Sequence, residues 1–114
     1  MPLQRPISWV KAAQKQFAEF PLEVRIDIET SLIVAARGGK SDTAKPFEGL
    51  DGGVFEIAVK HRGDAFRIIY AVQIGAAVWV IDAFQKKSKS GIKTPQMDVE
   101  RIRERLKRLK EALR

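Results

Sequence analysis

Four lysines, Lys86, Lys87, Lys89 and Lys93, fall within the run FQKKSKSGIK. With two serines and a glycine among them they form a cationic stretch, and lysine ammonium groups act toward phosphates as point charges. The plainer reading is a solvated turn. Upstream, VFEIAVKH carries Glu56 and Lys60, and AFRIIYAVQ carries Arg67. An arginine inside a strand pattern needs a counter-charge. Either Glu56 supplies it across the sheet, or an anion from outside does. Asp82 lies among apolar residues, which predicts a basic partner or a place in a site. His61 and Asp64 share a predicted turn, where a single histidine is more often incidental. Arg62-Gly63-Asp64 matches a cell-adhesion tripeptide but falls in the same turn. No phosphate-binding glycine loop, nucleophile elbow, paired-histidine zinc motif or dinucleotide fingerprint occurs.

These residues sit in a basic chain. Of 114 residues, 21 are Lys or Arg and 14 Asp or Glu, a net charge of +7. Residues 1–53 balance at seven of each sign, whereas residues 54–114 hold fourteen basic and seven acidic residues. A one-sided excess attracts polyanions, because neutralising phosphates releases counterions. RNA, DNA, an acidic partner or a membrane surface fits, as does plain solubility charge. The absence of cysteine excludes disulfides and thiolate-bound zinc, and the single histidine excludes a histidine-rich metal site. No apolar run reaches the ~20 residues that span a bilayer, and the N-terminus lacks an apolar signal core. A cytoplasmic single domain over residues 1–114 is expected.

The elements that must hold the charged residues follow from periodicity. Ile7–Val10 reads as a short edge strand after Pro6, or as the lead into a helix capped by Ser8. A helix over about Lys11–Glu19 carries the stripe Ala13, Phe17, Phe20. A second, from Pro21 to Arg37, ends at Gly38-Gly39, although Leu22, Val24, Ile26 and Ile28 also alternate as a strand would. Residues 38–53 read as a loop. Three antiparallel strands are expected over Val54–His61, Ala65–Gln73 and Ala77–Phe84. Phe55, Ile57, Val59, Phe66, Ile68 and Tyr70 face the helix hairpin. Glu56, Lys60 and Arg67 share the opposite face, which is expected to lie open. Strict alternation in the third strand sets Trp79, Ile81 and Ala83 against Val80, Asp82 and Phe84. The basic run follows as a loop. Thr94 and Pro95 then open a helix with the stripe Val99, Ile102, Leu106, Leu109, Leu113, and with Arg101, Arg105 and Arg108 on another face. The result is a small basic α+β domain: an N-terminal helix hairpin on a small antiparallel sheet, closed by a C-terminal helix.

On this order sit KPFEGLDGGVFEI, GDAFRIIYAVQ, AFQKKSKSGIKTP and ERLKRL. Over Ile7–Leu109 the chain resembles the RelE/ParE superfamily of bacterial toxins, in its phage-derived HigB-like branch. The resemblance implies a RelE-like fold and the toxin of a type II toxin–antitoxin pair, a ribosome-dependent mRNA endonuclease that works without a metal or other cofactor. The implied partners are mRNA on the ribosome and a helix-turn-helix antitoxin, with DNA reached only through the antitoxin complex. Metal-free cleavage by the ribose 2′-oxygen needs a base, an acid and cations for the developing charge. Arg67 matches the family's strand arginine and Lys86 a basic position after the last strand. Lys60, Lys87, Lys89 and Lys93 are implied phosphate contacts. No base is evident: Glu56 could act as one if it is not locked to Arg67, and Lys86 only with a lowered pKa. Three positions depart from the pattern: Asp82 stands where a histidine is common, Ala58 where a basic residue is common, and Ile92 near the place of a tyrosine. Two other functions fit the same fold: a ParE-like gyrase inhibitor, or a degenerate toxin that only binds its antitoxin.

Overall fold

A computed structural model describes residues 4–47, 49–50, 52–87 and 95–113, and for Lys87 the backbone alone. The elements run β1 (Ile7–Trp9), α1 (Lys11–Phe17), α2 (Leu22–Ala36), β2 (Ala44–Pro46), β3 (Val54–His61), β4 (Asp64–Ala71), β5 (Val78–Lys87) and α3 (Gln96–Ala112). The strands form one sheet in the order β1-β5-β4-β3-β2. The α+β class, the helices on the apolar face and the C-terminal helix are as expected. The sheet is larger than expected and mixed, because β1 pairs parallel with β5, Ile7 facing Val78 and Trp9 facing Val80. The stretch read as a loop contributes β2, whose Ala44 and Pro46 face Ile57 and Phe55.

The β3–β4 turn is tight because Arg62 and Gly63 both take positive φ, 51° and 85°, the requirement of a two-residue hairpin matched to strand twist. At the opposite end, the connection from β4 to β5 is pinned by Arg5. Its Nη2 donates to the carbonyls of Val72 at 2.8 Å and Ala77 at 2.9 Å, and its Nε to Ala76 at 3.1 Å.

Each face of the sheet has its own core. Ala13 and Phe17 of α1, with Val24, Ile28 and Leu32 of α2, pack on Ile57, Phe66, Ile68, Tyr70, Val78 and Val80. On the other face Ile102, Leu106 and Leu109 of α3 pack on Val54, Ile69, Ala71, Ile81 and Phe84. The second face is therefore partly roofed rather than open. Among the described residues no helix is long and apolar enough to cross a membrane.

One irregularity corrects the strict alternation in β5. The pairing with β4 shifts between Ile69, which faces Asp82, and Tyr70, which faces Val80. Ile81 is the extra residue of a β-bulge, which re-aims everything beyond it. Val78, Val80 and Ala83 point to the α1–α2 core, and Ile81 and Phe84 to the α3 core. Without the bulge Asp82, Phe84 and Lys86 would stay in step with Val80 and face α1 and α2. With it they join Arg67.

Tyr70 is 1% exposed and stacks on Phe55 with ring centroids 5.4 Å apart. Burial pushes its hydroxyl up to about 12. The unfolded chain ionises near pH ~10, before the folded one. The stabilisation is therefore complete below pH ~10 and is lost as the pH rises toward ~12, at about 1.4 kcal/mol per unit. The chain has a single tyrosine, so ultraviolet absorbance titration reads this group alone. A midpoint near that of free tyrosine would contradict its place in the core.

Candidate nucleic-acid interface

Three rows of side chains cross the α3 face of the sheet. Lys60, Ala65 and Lys86 form the first, from β3, β4 and β5; Ala58, Arg67 and Phe84 the second; Glu56, Ile69 and Asp82 the third. Successive rows lie about 6.8 Å apart along the strands. Toward the hairpin turn the face is floored by alanines: Ala58 and Lys60 are exposed and Ala65 half-buried. Toward the other end α3 covers it. The basic residues thus stand where the roof gives way to open sheet.

Arg67 is buried at 7% exposure. Its Nη1 donates to Oε2 of Glu56 at 3.0 Å, one row along on β3. Glu56, one of the two counter-charges open from sequence, is thus in place. The pair fixes the guanidinium in place, and it also engages the carboxylate that was to act as base. Lys86 was expected in a loop but lies in β5 and is buried at 8% exposure. Lys60 is exposed on β3. Arg67, Lys60 and Lys86 are therefore brought onto one face. The side chain of Lys87, and all of Lys89, Lys93, Ile92 and the Thr94 cap, lie outside the described residues. Pro95 stands at the N-cap of α3, so the helix begins one residue later than expected. Tyr70 faces the opposite core. His61, expected in the turn, is the last residue of β3, with Nε2 3.7 Å from Oε2 of Glu23, on the far side from Arg67.

The cluster around Asp82 was only partly foreseen. Its carboxylate, 2% exposed, accepts hydrogen bonds from Arg101 Nε at 2.9 Å and Arg105 Nη1 at 2.6 Å. It also accepts the backbone N–H of Ala83 at 2.9 Å. Arg101 reaches Asp98 at 2.7 Å through Nη1, and its guanidinium lies 5.5 Å from the centre of the Phe84 ring. Burial opposes the charge on Arg101, but the hydrogen bonds and charges of Asp82 and Asp98 outweigh it, so its pKa is raised. The sequence signal was an acidic residue in an apolar strand and two arginines four apart on a later helix. What it lacked was the bulge that turns Asp82 toward them. A cleft of about 400 Å³ opens beside this cluster, lined by Gln16 of α1, Gln85 of β5 and Asp98, Arg101 and Arg105 of α3.

Residues 15–107 match the sequence model of the family described as phage derived protein Gp49-like. No match was found among curated protein sequences. Among solved structures the chain is similar to a mutant of the Escherichia coli toxin RelE in the free state, with a TM-score of 0.63 and 17% identity, covering 93% of this chain and 98% of that one. The isolated E. coli RelE toxin aligns with a TM-score of 0.57 and 17% identity over 88% and 97% of the two chains. The toxin–antitoxin complex RelBE2 of Mycobacterium tuberculosis aligns with a TM-score of 0.51 and 12% identity over 78% and 98%.

Proposed function

Since the chain belongs to the phage-derived Gp49-like family and has the fold of RelE toxins, we propose that it is the toxin of a type II toxin–antitoxin pair and that it cuts mRNA on the ribosome. The observation that carries the reading is Arg67, held by Glu56 on a sheet face that also bears Lys60 and Lys86. Such an arrangement suits a phosphodiester. In the proposed reaction the ribose 2′-oxygen bonds to phosphorus, and the bond from phosphorus to the 5′-oxygen breaks. The products are a 2′,3′-cyclic phosphate and a 5′-hydroxyl. Arg67 stabilises the charge that builds on the phosphoryl oxygens. Lys86 supplies the proton to the leaving 5′-oxygen. Glu56 takes the 2′-hydroxyl proton while its Oε2 keeps Arg67 in place. Lys60, Lys87, Lys89 and Lys93 hold flanking phosphates. The substrate supplies its own nucleophile, so no metal or cofactor enters this scheme. The partner that silences the chain is a helix-turn-helix antitoxin, which brings the complex to DNA, and the site of action is the cytoplasm.

Expression of the chain alone is expected to arrest growth and translation, and co-expression of its antitoxin to relieve the arrest. Ribosomes programmed with a defined mRNA are expected to yield fragments with cyclic phosphate ends. Normal growth with intact mRNA would sink the reading. Arrest with intact mRNA and lost DNA supercoiling would transfer it to gyrase.

A further inference from the structure

Asp82 stands where the family resemblance leads one to expect a histidine, and its surroundings give it a different task. Arg101, Arg105 and the Ala83 amide all converge on its buried carboxylate. Arg101 also bonds Asp98 in the first turn of α3, and it lies over Phe84, which directly faces Arg67 on β4. The first turns of α3 are thus tied to β5 one row from Arg67. The tie also joins the two elements between which Lys89 and Lys93 lie in sequence, since β5 ends at Lys87 and α3 begins at Gln96. The local charge is balanced, two carboxylates against two guanidiniums.

We propose that Asp82 is a positioning residue with two effects. It docks α3 beside Arg67, and it withholds Arg101 and Arg105 from phosphates, so that RNA is drawn to the cations around Arg67 instead. This rests on the RNA-cleavage reading above. The consequence is unusual for a buried acidic residue: its loss should strengthen RNA binding while weakening cleavage.

The test compares wild type with Asp82→Asn in three measurements. These are binding of a short single-stranded RNA oligonucleotide across a salt series, steady-state cleavage of mRNA on programmed ribosomes, and hydrogen exchange of backbone amides. The expected result is binding several-fold tighter at low salt, with a slope against log salt steeper by about 0.7 for each arginine released. Turnover is expected to fall about tenfold with KM no higher. Amides in the first turns of α3 should lose protection while those of β3 and β4 keep theirs. Unchanged binding and turnover would overturn the proposal, and so would a parallel loss of both, which marks a residue needed for folding alone. Should Asp82→Asn fail to fold, Arg101→Lys keeps the charge but loses the fork onto Asp82 and Asp98. It is expected to lower turnover without steepening the salt slope, and wild-type turnover in that variant would count against the proposal. Intact RNA with the wild-type chain would defeat the functional reading and the phosphate half of this one. The exchange data would still decide the docking half: lost α3 protection in the variant supports it, and retained protection overturns it.

Discussion

Replacing Arg67 by glutamine is expected to lower mRNA cleavage by about 10²–10³-fold, with a much smaller change in substrate affinity. The reasoning starts from burial. A cation that only steers RNA sits in solvent, where salt screens it. Arg67 is 7% exposed, its guanidinium is fixed by a 3.0 Å bond to Glu56, and its charge acts in a medium that screens weakly. A fixed charge of this kind costs no reorganisation when the transition state forms, and removal of one such donor typically costs a factor of 10²–10³. The single variant also strips Glu56 of its counter-charge, so some loss could come from instability. The double variant Arg67→Gln/Glu56→Gln removes that complication, since two amides can hydrogen-bond without a net charge. It is expected to recover the thermal midpoint but not the turnover; because it also removes the carboxylate proposed as base, Glu56→Gln alone gives the share of that loss that is not due to Arg67. Lys60→Gln is the contrast. This exposed side chain should change affinity and shallow the salt slope by about 0.7, leaving turnover nearly intact. Single-turnover cleavage on programmed ribosomes, beside thermal unfolding, separates the cases. Wild-type cleavage by the double variant would remove Arg67 and Glu56 alike from the site.

The legible parts of the chain are those where local pattern and tertiary need agree. The α3 stripe is an example: Ile102, Leu106 and Leu109 repeat at helical spacing and are buried. So are β3 and β4, where alternation predicted the facing of Phe55, Glu56, Phe66, Arg67 and Tyr70 without error. In α2 two apolar sets compete at helical spacing. Val24, Ile28 and Leu32 go to the core, whereas Leu22 and Ile26 stay more than half exposed; the helix alone cannot say which face the sheet will meet. The misreadings share one cause, pairing with distant residues. Gln85–Lys87 look like a loop because lysine and glutamine are poor strand formers, yet Asp64–Phe66 of β4 offer them a continuous ladder, and context overrides propensity. β2 holds a lysine and a proline in three residues and becomes a strand only because Phe55–Ile57 lie alongside. The bulge at Ile81 leaves no mark in composition, and it decides whether Asp82 and Lys86 belong to the site. The facing of Arg67 was therefore readable from the strand pattern, while the arrangement that surrounds it was not.

The largest effect on stability is expected from Ile102→Ala. Ile102 is fully buried in the cluster that also holds Ile69 and Ile81 of the sheet and Leu106 of its own helix. Truncating it removes three carbon atoms from contact and leaves a cavity that a β-sheet floor cannot collapse to fill, at a cost of about 2–5 kcal/mol. Against the ~6–17 kcal/mol typical of a domain this size, that is a substantial fraction, and the thermal midpoint should drop on the order of 10 °C or more. Leu113→Ala, at the C-cap of the same helix and 46% exposed, should cost under about 0.5 kcal/mol. The form of the transition is informative as well. β4 supplies Ile68 to one core and Ile69 to the other, so neither helical layer can lose its packing without disturbing the strand they share. Unfolding of Ile102→Ala in urea, followed by circular dichroism and by tryptophan fluorescence, is therefore expected to show one shifted transition with coincident probes. A separate early loss of helix, with the amides of β3 and β4 still protected against hydrogen exchange, would mean that α3 rests on the sheet as an independent flap. The first turns of α3 would then owe their place beside Arg67 to the Asp82 ion pairs rather than to the apolar stripe.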